Sequence, residues 1–142
     1  MLNRALISHA RDTWATPREL LIALEQEFGR FTLDPCPLDA SATAGASLWG
    51  KDGLQLDWRG HRVFLNPPYG RGIGRWLEKA LEADLAVVLL PARTDTRWFH
   101  AYADLADEIR FLKGRLRFGG AKAGAPFPSV LMIFRCDNNK HE

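Results

Sequence analysis

The sequence predicts an α/β protein built on a mostly parallel sheet, with helices on both faces and a C-terminal antiparallel hairpin. Three observations predict it. Helical apolar patterns alternate with short strand-like runs, the order that winds a sheet through crossovers. One run, Leu85 to Leu90 (LAVVLL), is apolar at every position, as expected of a strand covered on both faces. Three candidate parallel strands end in a special residue: Leu33 in Asp34-Pro35, Leu65 in Asn66-Pro67-Pro68, and Leu90 in Pro91-Ala92-Arg93. In an open α/β sheet the ligand crevice lies beyond the carboxyl ends of the strands. Asp34, Asn66 and Arg93 are therefore expected to converge.

The elements follow in order. Thr16-Pro17-Arg18-Glu19 places a capping Thr, a Pro at the first helical position and a Glu three residues after the cap. Leu20, Leu21, Leu24 and Phe28 then form an apolar stripe, so a helix is expected from about Pro17 to Phe28, stopped by Gly29. Phe31 to Asp34 reads as a short strand ended by Pro35. The stretch from Pro35 to His61 carries small residues, scattered Gly, Trp49 and Trp58, and no clear period. Arg62 to Leu65 reads as a strand. Gly70, Gly72 and Gly74 lead into a helix with Ile73, Trp76, Leu77, Ala80 and Leu81 on one face. After the LAVVLL strand, Thr94 or Asp95 is the expected cap of a third helix carrying Trp98, Phe99, Tyr102 and Leu105. Glu108 to Leu112, Arg115 to Phe118 and Val130 to Arg135 are strand candidates, the last two expected to form a hairpin across a Gly-rich loop.

Composition narrows the function classes. A chain of 142 residues with 46% hydrophobic and 25% charged residues fits one domain with a real core. The longest apolar run is far too short to span a bilayer, and Met1 to Ala10 lacks a signal-peptide core, so the expected address is the cytoplasm. Cys36 and Cys136 stand apart without metal-ligand spacing, and no metal is expected. The net charge of +2 is uninformative, but its distribution is not. Arg110, Lys113, Arg115, Arg117 and Lys122 stand in one window with Phe111 and Phe118 and no acidic residue. Basic residues interleaved with aromatics suit a polyanion with stackable bases, although a solvated face has the same composition.

Asn66-Pro67-Pro68-Tyr69 carries the strongest chemical signal. With each residue at about 5% usage, a chance occurrence in this chain is on the order of one in a thousand. Two prolines stiffen the loop, and Pro67 brings a carbonyl acceptor without an amide hydrogen. The Asn66 side-chain oxygen is a second acceptor, and Tyr69 adds a flat aromatic face. Together they form a clamp for a planar amino group. The glycines at 70, 72 and 74 lack the spacing of a dinucleotide loop or P-loop and read as clearance at a helix start. His9, His61, His100 and His141 pair with no nucleophile in the sequence pattern, and Trp14, Trp49, Trp58, Trp76 and Trp98 read as core or loop anchors.

The NPPY motif resembles that of S-adenosylmethionine-dependent methyltransferases acting on planar nitrogens. The likeness extends to Trp14-x-Thr16-Pro17, Phe31 to Cys36, Asp52-Gly53-Leu54 with Trp58, Leu90 to Thr96 with Trp98-Phe99, Gly114 to Phe118 and Ala125 to Pro128. In this order the motifs resemble the small phage-type DNA N-6-adenine methyltransferases over about residues 14 to 134. The resemblance implies a reduced Rossmann-like class I methyltransferase sheet in a single domain over residues 1–142, with no separate target-recognition domain. It implies S-adenosylmethionine as cofactor, DNA as partner, and a phage or prophage protein in the bacterial cytoplasm.

It also assigns roles. Asn66, Pro67, Pro68 and Tyr69 would be catalytic. Thr16, Pro17, Asp34, Pro35, Cys36 and Asp52 would bind the cofactor, with Asp57 competing for the place of Asp52 and Asp39 available for the ribose. Pro37-Leu38-Asp39-Ala40 replaces the Gly-rich turn of larger methyltransferases. Arg93, Lys113, Arg115, Arg117, Phe118 and Phe127 would bind substrate, Phe118 or Phe127 facing Tyr69 across a flipped adenine. Two alternatives stay open on sequence: the same chemistry on RNA or a glutamine amide, and a catalytically inactive nucleic-acid-binding module.

Overall fold

The computed structural model describes residues 14–37, 52–120 and 124–136. Helix α1 spans Arg18–Phe28, strand β1 Arg62–Leu65, helix α2 Ile73–Ala80 and strand β2 Leu85–Pro91. Helix α3 spans Arg97–Leu105, strand β3 Glu108–Phe111 and strand β4 Ser129–Arg135. Single 3-10 turns lie at Gly53–Gln55 and Phe118–Gly120.

The four strands form one mixed sheet in the order β1-β2-β4-β3. β1 runs parallel to β2, with Arg62 opposite Leu85 and Leu65 opposite Val88. β4 is antiparallel to β2, with Leu85 opposite Arg135, and antiparallel to β3, with Arg110 opposite Leu131. The expectation of a mostly parallel sheet is therefore corrected: among the described strands one pair is parallel and two are antiparallel. The reason is topological. β2 and β3 run in the same direction, as a crossover through α3 dictates, but β4 inserts between them and returns without a helical crossover.

The expected hairpin changes partners for a related reason. Arg115 to Phe118 is not a strand. The Leu116 carbonyl accepts from the Ala125 amide at 2.8 Å, so this segment folds back on residues 124–125. β4 takes β3 as its neighbour instead. The expected strand from Phe31 to Asp34 shortens as well. Leu33 bridges Val63 in parallel, the Phe64 amide donates to the Leu33 carbonyl at 3.1 Å, and Pro35 follows at once.

β2 is buried at all seven positions, so both faces of the sheet are covered there. One face carries α1. The strand registers put Arg62, Arg110 and Arg135 on that face. The Arg62 guanidinium donates to the Phe28 carbonyl, while Arg110 and Arg135 lie 5.2 and 5.5 Å from the Phe28 ring centre. Helices α2 and α3 are joined by Tyr102, whose hydroxyl donates to the Gly74 carbonyl at 3.2 Å and to Glu78 at 3.0 Å. On α2, Ile73, Leu77 and Ala80 are buried, as the apolar spacing predicts. On α3 only Phe99 is buried and Leu105 is exposed.

Two caps differ from expectation. Thr96, rather than Thr94 or Asp95, caps α3 by accepting from the Phe99 amide. At α1 the cap position is Pro17, and Thr16 makes no cap. Its hydroxyl is engaged elsewhere.

Candidate active site

The site is built at the carboxyl ends of the Leu33 bridge, β1 and β2, which run side by side. Leu33 opposes Val63 and Leu65 opposes Val88, so Asp34 and Asn66 leave neighbouring strands at the same edge. β2 continues three residues further, to Pro91, before Arg93. The Arg93 guanidinium stands 5.8 Å from the Phe127 ring centre, and Phe127 stands 5.6 Å from Tyr69. Arg93 thus reaches the NPPY loop through one aromatic ring.

Asn66 is 5% exposed, at the point where β1 ends and the two prolines begin. Its amide nitrogen donates to the Trp14 carbonyl and to the Thr16 hydroxyl, the latter at 2.9 Å. Its amide oxygen is buried and has no hydrogen-bond partner among the described residues. A buried acceptor left unmade costs about 1–3 kcal/mol, so this arrangement persists against a penalty. Sequence reasoning treated Thr16 as a cofactor residue; the structure brings it onto Asn66.

Tyr69 is buried and its hydroxyl donates to the Leu89 carbonyl at 3.2 Å. Burial drives its phenol well above the ordinary range. Phe118 and Phe127, each 6% exposed, meet Tyr69 edge-on and both touch Trp14. Phe118 or Phe127 is the residue expected to face Tyr69 across a base, and both rings lie against Tyr69. Four aromatic rings at one strand end bury more apolar surface together than apart.

Next to this cluster lies a cavity of about 480 Å³ lined by Tyr69, Gly70, Arg71, Ile73, Arg93 and Trp98, among others. Arg71 was missed in the sequence, where it stands among glycines without any pattern. Its place in the cavity lining comes from the turn that starts α2, in which the Ile73 amide donates to the Gly70 carbonyl at 3.2 Å. At Gly72 and Gly74 an added Cβ meets nothing within 4 Å.

A second group forms around Asp34. A Cβ on Gly53 would lie 1.8 Å from the Pro35 carbonyl oxygen, so the Asp52–Gly53 turn is seated directly on Pro35. Asp52 accepts from the Leu54 amide at 3.0 Å, and Asp34 is buried and accepts from the Cys36 amide at 3.2 Å. Burial first, and the Asp34 charge second, push the Cys36 thiol up to about 12. Asp57, the competitor of Asp52, is held in a two-oxygen ion pair by Arg59, which keeps its carboxyl far below the usual range. Asp39 lies outside the described residues.

The basic window divides. Arg110 is held in ion pairs by Glu27 and Glu108. Lys113, Arg115 and Arg117 are all exposed, and Arg115 also donates to the Ala125 carbonyl at 3.3 Å. Lys122 lies outside the described residues. His61 bonds Thr32 and His100 bonds the Thr94 carbonyl, both local contacts. Among the described residues no group of three or more His, Cys, Asp or Glu side chains is placed to hold a metal. No helix among them is long and apolar enough to cross a membrane.

A family profile described as DNA N-6-adenine-methyltransferase (Dam) matches residues 4–140. The chain belongs to this family. The motifs from Trp14 to Pro128 thus lie within one family match, and the resemblance drawn from them holds. A protein of Escherichia phage T1, named DNA N-6-adenine-methyltransferase, is 30% identical over 111 residues, covering 75% of this chain and 47% of that protein. The chain therefore spans about half the length of that Dam family relative. No solved structure shows significant similarity to the chain.

Proposed function

We propose that the protein transfers a methyl group from S-adenosylmethionine to the exocyclic 6-amino group of adenine in DNA. We also read its sheet as a reduced Rossmann-like core of the class I methyltransferase type. The observation that carries the activity is the Asn66 amide, with a donor end fully bonded and a buried acceptor end that has no partner among the described residues. Such an oxygen wants an N–H, and an adenine amino group brings two.

An adenine inside a duplex keeps its amino group out of reach, so the base is extruded into the site. Its amino lone pair is spread into the ring and is a poor nucleophile. Acceptance of its two N–H groups by Asn66 Oδ1 and the Pro67 carbonyl draws the lone pair back onto nitrogen. Both acceptors are fixed before reaction, which keeps the reorganisation cost low. Methylation makes the nitrogen strongly acidic, so its proton leaves to water or through Asn66 without a dedicated base. The cavity of about 480 Å³ beside Tyr69 lies within the size of small-ligand sites, about 300–1,000 Å³, and receives the nucleotide. Arg71 and Arg93 at its lining suit the flanking phosphates.

The residues around Asp34 fit the cofactor. The Gly53–Pro35 contact brings the segments bearing Asp34 and Asp52 together at one strand end, and their carboxylates would accept from an ammonium group and ribose hydroxyls. Asp34, Pro35, Cys36 and Asp52 would hold it there. When bound, S-adenosylmethionine supplies an electrophilic methyl group. Lys113 and Arg117, exposed beyond β3, suit the phosphate backbone.

The test is incubation with labelled S-adenosylmethionine and unmethylated DNA, bulk RNA and a protein extract, followed by digestion and mass spectrometry. N-6-methyladenine formed in DNA alone supports the proposal. Label in RNA or glutamine keeps the clamp and overturns the DNA assignment. No transfer together with no cofactor binding leaves the inactive module as the reading.

A further inference from the structure

We infer that Thr16 and the Trp14 carbonyl are positioning groups for the reaction, locking the Asn66 amide in the one orientation that presents its oxygen to the substrate. The inference rests on the amino-methylation reading above and adds residues that do not touch the reacting atoms.

A side-chain amide has two ends of similar shape and opposite hydrogen-bonding character. Rotated by half a turn, Asn66 would aim its NH₂ at the substrate amino group, donor against donor, and the clamp would repel what it has to hold. Stiffness of the Pro67-Pro68 loop does not prevent this, because the rotation occurs within the side chain. The Trp14 carbonyl and the Thr16 hydroxyl oppose it together. A carbonyl only accepts, so the Asn66 group facing it has to be the NH₂. Thr16 Oγ1, 2.9 Å from the same nitrogen, takes the second proton. With both donors satisfied, the oxygen is left as the end without a partner among the described residues.

The lock is itself held. The Trp14 ring packs edge-on against Phe118 at 5.5 Å and Phe127 at 5.1 Å. The neighbouring Ala15 carbonyl accepts from the Gly119 amide at 2.9 Å. The helix start gives up its expected Thr cap to free the Thr16 hydroxyl for this purpose.

The test compares Thr16→Val, which keeps the shape and removes the acceptor, with Thr16→Ser, which restores it. In steady-state methylation of DNA, Thr16→Val should lower kcat at least about tenfold, on the scale of one lost hydrogen bond, with KM for cofactor and DNA within about twofold. Thr16→Ser should recover most of the rate. A loss confined to the cofactor KM would overturn the inference and make Thr16 a cofactor ligand. Equal kcat in Thr16→Val and wild type would overturn it as well. The Asn66 side-chain NH₂, followed by proton exchange in ¹⁵N-labelled protein, gives a readout independent of turnover. Thr16→Val should speed exchange of one amide proton in a protein of unchanged fold; unaltered exchange contradicts the lock. If wild type methylates no DNA, the proposed function fails, and the exchange data alone decide whether Thr16 fixes the amide.

Discussion

Gly53 sits against Pro35 so closely that a Cβ would fall 1.8 Å from the Pro35 carbonyl oxygen. This single approach joins the turn at Gly53–Gln55 to the segment bearing Asp34. It also seats Asp52 there, with the Trp58 indole donating to the Gly53 carbonyl at 2.9 Å to hold the turn from beneath.

Gly53→Ala should therefore part the two segments. The clash is with backbone, which cannot rotate away, so a cost of at least about 1–3 kcal/mol is expected. Thermal unfolding should show a lowered Tm, and calorimetry should show weaker S-adenosylmethionine binding.

Tyr69 separates a hydrogen bond from a packing effect. Tyr69→Phe loses only the bond to the Leu89 carbonyl and should cost about 1 kcal/mol by denaturant unfolding. Tyr69→Ala removes a ring touched by Phe118 and Phe127 and should cost about 3–5 kcal/mol.

The basic residues should sort by their partners. Lys113→Ala and Arg117→Ala should each lower the salt slope of DNA binding by about 1. Arg110→Ala should leave that slope unchanged, because Glu27 and Glu108 already hold the guanidinium. The same pairing depresses the Glu27 carboxyl, chiefly through its hydrogen bond to Arg110. Its stabilisation is present above the unfolded value of 4.5 and is lost as pH falls through the lower folded value. Arg110→Ala should remove that part of the acid dependence in a pH series of unfolding curves.

The two thiols should differ in reactivity. Cys36 is half-buried and its thiol is pushed up to about 12, whereas Cys136 is exposed. Limited alkylation at pH 8 should label Cys136 well before Cys36, as read by peptide mass spectrometry, because the thiolate is the reacting form.

Much of the fold was legible because it is written locally. The stripe Leu21, Leu24 and Phe28 and the uninterrupted apolar run of β2 report periodicity and burial directly. Sheet order was not legible, since insertion of β4 between β2 and β3 depends on pairings distant in sequence. At the site, Asn66 and Tyr69 were legible from the NPPY motif. The contact of Thr16 with Asn66 was not: 50 residues separate them, and Thr16 followed by Pro17 and Glu19 is also a sound capping pattern. Tertiary bonding outbid the local cap. Arg71 was hidden for the opposite reason, an arginine between glycines with no period to mark it.

The most direct test of Asn66 as the acceptor for the substrate amino group is Asn66→Ala, with cofactor affinity measured by calorimetry and methyl transfer in single turnover. The account predicts a loss of transfer of about 10²–10³-fold or more, the effect of deleting one preorganised polar group, with cofactor affinity nearly unchanged. Transfer retained within a few-fold of wild type would contradict it.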